Sequence, residues 1–257
     1  MNHDDMTIVD HIEEIRKRLI IIVVFFVLAV IISFFIAQPL IKFLQHTEEA
    51  KELTMNAFRV TDPFKVFMKV AFVLAVVFTS PVILYQIWAF VSPGLYEKER
   101  KVTLSYIPIA FLLFIGGIAF AYFILFPFVI DFMMRLSGNM EIYPVIGINE
   151  YFQFLLQITL PFGLLFQLPV IILFLTKLGI VTPMFLRKVR KYAYFILLVI
   201  AAFITPPDII SHLMVTFPLL ILYEISIWIS KIAYKRGQRE VENTEGKRDE
   251  ITYLDKK

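Results

Sequence analysis

The chain has 257 residues, of which 59% are hydrophobic and 18% charged, with a mean hydropathy of +0.76 and a formal net charge of +3. Soluble globular chains lie near half apolar and a quarter charged, so this composition excludes an ordinary soluble domain and places the chain among membrane proteins. The absence of cysteine excludes disulfides, thiolate catalysis and Cys-based metal sites.

Residues 1–18 form an amino-terminal segment that closes on Arg16-Lys17-Arg18 before an apolar run over 19–37. That run is longer than the roughly 7–15 residues of a signal-peptide core, and Ala37-Gln38-Pro39 is a poor cleavage site, so a retained first span is expected. About 20 apolar residues in a helix cross a hydrocarbon core of ~30 Å. Residues 66–91, 105–130 and 151–178 meet this requirement as well, with Lys69 near the start of the second run.

The last apolar region differs. A short run over 192–204 is followed by Thr205-Pro206-Pro207-Asp208 and a further run over 209–229. Adjacent prolines remove two backbone donors and turn the chain, which predicts two shorter helices in a hairpin. The expected fold is therefore an all-α integral membrane protein with six transmembrane helices within residues 19–230, the last two short.

Orientation follows from Lys and Arg. The flanks 1–18, 92–104, 177–191 and 231–257 carry nineteen of them, and the flanks 38–65, 131–150 and 205–211 carry five. The positive-inside rule then puts both termini in the cytoplasm. In the first external loop, Pro39 to Leu44 reads as a short interfacial amphipathic helix, and Ser137-Gly138-Asn139 and Tyr143-Pro144 mark turns in the second. The tail 231–257 mixes cations and acids without apolar periodicity and is expected to be a disordered cytoplasmic segment.

Two acidic segments stand among the anchoring cations. Glu13 and Glu14 lie four residues before Lys17 and Arg18, so ordinary helix-surface pairs worth ~0.2–0.5 kcal/mol each are one reading. Glu99 follows the Pro93-Gly94 turn and has Thr103 four residues on, so no local helical cation claims it. A solvated loop acid is one reading of Glu99; a ligand for a guest guanidinium, met through two parallel hydrogen bonds, is the other. Among the remaining polar groups, Lys69 can snorkel outward, and Glu224 sits where a neighbouring helix can pair with it. The four histidines are scattered, so neither a metal site nor any cofactor is expected, and no Gly-rich nucleotide loop is present.

Taken together, these segments resemble the TatC family, the polytopic component of the twin-arginine protein translocase. His11-Ile12-Glu13-Glu14-Ile15-Arg16-Lys17-Arg18-Leu19 is similar to the family's amino-terminal motif. The stretch from Ser80-Pro81 through Trp88-Ala89-Phe90 to Ser92-Pro93-Gly94-Leu95-Tyr96 and Glu99-Arg100 is similar to its first cytoplasmic loop. Phe120-Ala121-Tyr122-Phe123, Phe126-Pro127 and Thr205-Pro206-Pro207-Asp208 match further landmarks, and the resemblance covers residues 7 to 236.

The resemblance implies a non-enzymatic receptor in the bacterial cytoplasmic membrane. It would bind twin-arginine signal peptides of folded preproteins through Glu14 and Glu99, with Arg16 and Phe90 at or beside that site. It also implies recruitment of a TatA-type single-span subunit, self-association in a complex, and export driven by the proton-motive force, with no nucleic-acid partner. Pro39 and Asp208 fall on external landmark positions. One departure stands out: Gln167 occupies a place in the fourth span where the family often has glutamate. Glutamine cannot titrate, but it can hydrogen-bond either a partner helix or a helix of its own chain.

Two other classes fit less well. A secondary transporter of small solutes calls for midplane charges and repeated halves, and an intramembrane protease calls for a nucleophile–base pair or paired aspartates within spans. Neither pattern is evident.

Overall fold

The computed structural model describes residues 8–47, 55–92, 104–142, 144–205 and 208–254 and, within these, the side chains of all but 8–11, 91 and 236–254. Helices dominate. Five of them are long and apolar enough to cross a bilayer: Ile12–Gln45, Asp62–Phe90, Tyr106–Asn139, Ile148–Lys177 and Ile209–Lys235. The chain divides into two compact units, Met1–Leu164 and Leu165–Lys257.

In the first unit, α1 (Ile8–Gln45) packs along α2 (Asp62–Val91). Ala29, Ser33 and Ala37 are buried at four-residue spacing on α1, against a second helix that buries Val66, Val70, Ala71 and Ala75. Small residues on one stripe let two helix backbones approach, which is how helices associate where lipid removes the hydrophobic drive. Edge-on contacts of Phe26 with Phe72 and Phe34 with Phe67, both 5.4 Å between centroids, flank the seam. The opposite face of α1 leaves Ile20, Val24, Val27 and Ile31 exposed, as suits a surface turned to lipid.

Prolines are absorbed by local repair. Pro81 inside α2 cannot donate to Val77, and Ser80 Oγ donates to that carbonyl instead, at 2.7 Å. Pro127 has a larger effect. Between α3 (Tyr106–Phe120) and α4 (Phe126–Asn139) the helix widens into a π-helical turn, Ala121–Leu125, and the Phe126 N–H donates five residues back to Ala121 O. Pro39 likewise stays within α1, which runs unbroken to Gln45. The separate interfacial helix expected from Pro39 to Leu44 is therefore not formed: one lost hydrogen bond does not outweigh continuation of a helix already nucleated.

The turn expected at Ser137-Gly138-Asn139 also shifts. α4 continues through Ser137-Gly138-Asn139 and ends just beyond, where Glu141 has φ 57° and Ile142 N donates to Ser137 O at 2.9 Å. The segments that follow α1 and α4 meet in a two-residue parallel ladder that the sequence did not signal, with β1 (Met55–Asn56) paired to β2 (Ile146–Gly147). From β2 the chain enters α5 (Ile148–Leu165), whose Tyr151 and Phe154 pack on buried Phe126 at 5.2 and 5.8 Å.

Lys69, expected to snorkel outward, reaches Asn149 Oδ1 and Gln153 Oε1 on α5, each at 3.0 Å. Gly163 is needed for close packing: a Cβ there would fall 2.9 Å from both Ile118 and Phe114 of α3. Gly163→Ala should thus overpack this contact and destabilise the unit by ~1–3 kcal/mol, read as a lowered thermal midpoint of the purified protein.

The second unit holds α6 (Leu168–Lys177), α7 (Pro183–Lys188), α8 (Arg190–Ile204) and α9 (Ile209–Leu254). α6 ends in a Schellman motif: Gly179 takes φ +71°, while Gly179 N and Ile180 N donate to Thr176 O and Leu175 O. Ser211, Val215, Leu219, Leu222, Ser226, Ser230 and Ala233 form one buried stripe along α9. Ser230 hydrogen-bonds Thr176 of α6 at 2.7 Å.

Of the last two helices, both expected to be short, only α8 is: Ile209–Lys235 is by itself long enough to cross a bilayer, because the apolar run is prolonged by its flanking helical residues. At 15 residues α8 is about 22 Å long, short of a full crossing, which is why five helices rather than six meet the length requirement. The tail, expected to lack structure, continues α9 as helix to Leu254. It contains no proline, and a helix nucleated within a span extends at little cost per residue.

Candidate functional site

The amino-terminal carboxylates lie on the first turns of α1, and the i,i+4 spacing pairs them as sequence allows. Glu13 is exposed and meets Lys17 at 3.1 Å and Arg16 at 4.0 Å. Arg16 is itself exposed and belongs to that surface cluster. Glu14 is half-buried, and its Oε1 accepts from Arg18 Nε at 3.2 Å and from Arg18 NH2. Both hydrogen bonds that Glu14 accepts from Arg18 fall on Oε1.

Arg18 does more than neutralise Glu14. It crosses to the end of α2, donating from NH1 to Gln86 Oε1 at 3.3 Å and from NH2 to Ala89 O at 2.9 Å. Ser92 Oγ donates to the same Ala89 carbonyl at 3.2 Å. A planar guanidinium with five donors can hold a carboxylate, an amide oxygen and a carbonyl at once; an ammonium lacks that fixed fork. Arg18 thus fastens the Glu14 turn to the last turn of α2.

Phe90 is half-buried one residue beyond Ala89. Trp88 Nε1 is buried with no acceptor among the described residues, and its ring tilts against Tyr85 at 5.8 Å. Glu99, together with Glu97 and the Pro93-Gly94 turn, lies outside the described residues.

Arg18 and Gln86 carry the α1–α2 connection and were not singled out as site residues from sequence. The signal was present: a glutamine near the end of an apolar run, and an arginine four residues after an acid. What sequence could not show is that both meet at one point.

The remaining candidates fall elsewhere. Gln167 is buried at the amino end of α6, and its carbonyl accepts from Ile171 N at 2.9 Å. Pro39 is exposed within α1. Asp208 precedes α9 and caps it: Oδ1 accepts from Ser211 N at 2.7 Å, and its carbonyl from His212 N at 3.1 Å. Among the described residues no group of three or more His, Asp or Glu is arranged to hold a metal.

Comparison with known proteins gives a consistent picture. The family model described as TatC, Sec-independent protein translocase protein, matches residues 10–218. The chain is 66% identical over 239 residues to the Sec-independent protein translocase protein TatCy of Bacillus subtilis (strain 168), covering 93% of this chain and 94% of that protein. It is 62% identical to the TatC protein of Halalkalibacterium halodurans, with the same shares covered. Among solved structures, the crystal structure of a twin-arginine translocase receptor TatC aligns with a TM-score of 0.78 at 34% identity, covering 87% of this chain and 99% of that one.

Proposed function

This chain belongs to the TatC family of Sec-independent protein translocase proteins, multi-pass membrane proteins of the Tat pathway that act as receptor components rather than enzymes. On that premise we propose that it binds the paired arginines of twin-arginine signal peptides on folded preproteins through Glu14 and Glu99. The observation that carries this reading is Arg18. It joins the turn bearing Glu14 to Ala89, ten residues before Glu99 in sequence, and meets Glu14 through Oε1. One acid held in place and a second ten residues beyond Ala89 in sequence suit a ligand bearing two adjacent guanidinium groups.

The proposed topology has six spans, with α8 as a short fifth one, and both termini on the cytoplasmic side of the bacterial cytoplasmic membrane. The nineteen-to-five asymmetry of Lys and Arg between alternate flanks supports it. Transport of the folded cargo draws on the proton-motive force, and the receptor works within a complex that includes further copies of this chain and a TatA-type single-span subunit.

Gln167 supplies the polar contact for that subunit's helix, since a neutral amide can donate and accept in lipid without the cost of a charge. A photo-cross-linker placed at successive positions of α6 should capture the single-span subunit with helical periodicity. Capture at none of these positions would remove the docking assignment.

The test of the central reading uses a folded reporter carrying an Arg-Arg or a Lys-Lys signal peptide, in cells whose only TatC-type protein is this chain or its Glu99→Ala variant. Export of the Arg-Arg reporter alone, lost in the variant, is the expected result. Equal export of both reporters would refute the paired-carboxylate site.

A further inference from the structure

A cavity of about 470 Å³ opens at the junction of α7, α8 and α9, lined by Arg187, Arg190, Glu224, Ile227, Trp228 and Lys231. We propose that it is a headgroup site for an anionic phospholipid, holding the lipid phosphodiester between Arg187 and Lys231. Its volume lies within the roughly 300–1,000 Å³ of small-molecule sites.

The cavity is built from one face of α9, because Glu224, Ile227, Trp228 and Lys231 follow the i, i+3, i+4, i+7 spacing. Its walls are fixed from both sides. Tyr223 OH donates to Leu186 O at 3.0 Å, which ties α7 to α9. Arg190 of α8 binds both oxygens of Glu224, with Nε 2.6 Å from Oε1, and Tyr194 OH donates to the same Oε1 at 2.5 Å.

That arrangement decides the sign of the site. The single carboxylate is held on both oxygens by Arg190 and on Oε1 by Tyr194 as well, so its charge is matched within the cavity wall. Arg187 and Lys231 form no ion pair among the described residues, and both are exposed. Three cations against one acid give the cavity lining a net positive charge, with Arg187 and Lys231 outside the Arg190–Glu224 ion pair and able to donate to a phosphate.

Position favours a lipid as the source of that phosphate. Lys231 and Lys235 close the apolar segment Ile209–Lys235, the depth at which headgroups lie. Trp228, 64% exposed, stands one turn before Lys231, as an interfacial indole does, while Ile227 is buried at the base. Basic pockets between helices at this depth are suited to anionic headgroups, and a soluble anion would draw nothing from the apolar rim.

The test uses the full chain with Trp88→Phe, which leaves Trp228 as the sole tryptophan of two. Reconstituted in symmetric vesicles, its fluorescence is quenched by phosphatidylglycerol or phosphatidylcholine carrying brominated chains. Symmetric vesicles make the readout independent of the proposed topology and of signal-peptide binding. A preference for the brominated phosphatidylglycerol of about twenty-fivefold is expected, from about fivefold for each of Arg187 and Lys231.

Arg187→Gln with Lys231→Gln should bring the preference to about one without moving the thermal midpoint. Arg187→Lys with Lys231→Arg should retain it. Equal quenching by the two lipids in the parent protein overturns the proposal, whatever the fate of the variants. So does a preference that survives both glutamines, and so does its removal by millimolar sn-glycerol-3-phosphate, which would assign the cavity to a soluble anion.

Discussion

Arg18→Ala should lower the stability of the purified protein by ~2–3 kcal/mol and abolish transport, although Arg18 is not itself placed against the signal peptide. The side chain is about one-fifth exposed and makes bonds to Glu14, Gln86 and the Ala89 carbonyl. Hydrogen bonds to charged groups contribute roughly 1.5–3 kcal/mol each, but partial exposure screens the ion pair, so the sum is far below three full bonds. The larger effect falls on function. Without Arg18, Glu14 loses its anchor to α2 and gains the freedom to turn toward solvent. Arg18→Lys should rescue only part of both losses, because an ammonium has no rigid fork for three acceptors on two helices. Thermal unfolding in detergent alongside reporter export checks the prediction; a fully active Arg18→Ala protein would show that the α1–α2 clasp is dispensable.

The second large effect concerns the ligand. Replacing Arg-Arg by Lys-Lys in a signal peptide preserves its charge but removes the parallel hydrogen-bond pairs that a guanidinium makes with a carboxylate. Affinity for the purified receptor should fall by about ten- to hundredfold, equivalent to ~1.4–2.8 kcal/mol. Glu99→Gln should cause a similar loss for the Arg-Arg peptide and little further loss for Lys-Lys, since the missing interaction is the same one. Titration of labelled peptides against the parent and the variant measures all four affinities. Additive losses would mean that Glu99 and the paired arginines act independently.

These expectations show how unevenly the site was written in the sequence. Glu14 and Arg18 are four residues apart on one helix, so their pairing follows from helical geometry alone, and the structure contains it. The connection onward to Gln86 and Ala89 spans about seventy residues and depends on how α1 packs along α2. No local rule encodes that register. It is set by the small-residue stripe of Ala29, Ser33 and Ala37 and by the aromatic contacts beside it. Likewise, the sequence placed Glu224 near a neighbouring helix, but only packing identified Arg190 and Tyr194 as its partners.

Proline positions gave the least reliable local reading. Pro39 and Pro81 lie inside continuous helices, while Pro127 widens one into a π turn. The lost hydrogen bond is the same in each case; the outcome depends on what satisfies the abandoned carbonyl, as Ser80 does for Val77.

The sequence by itself determined the class of this protein: apolar runs long enough to cross lipid, cations gathered on alternate flanks, and the motifs of a protein translocase receptor. These are properties of composition and short-range order, which a chain carries before it folds. Only the tertiary structure decided that Arg18 clasps two helices, that Lys69 is held by two amides of α5, and that Glu224 pairs with Arg190 and Tyr194. The physical reason is that a polar group near lipid is governed by whichever partner packing brings within about 3 Å, and that partner is a property of helix register rather than of neighbouring sequence.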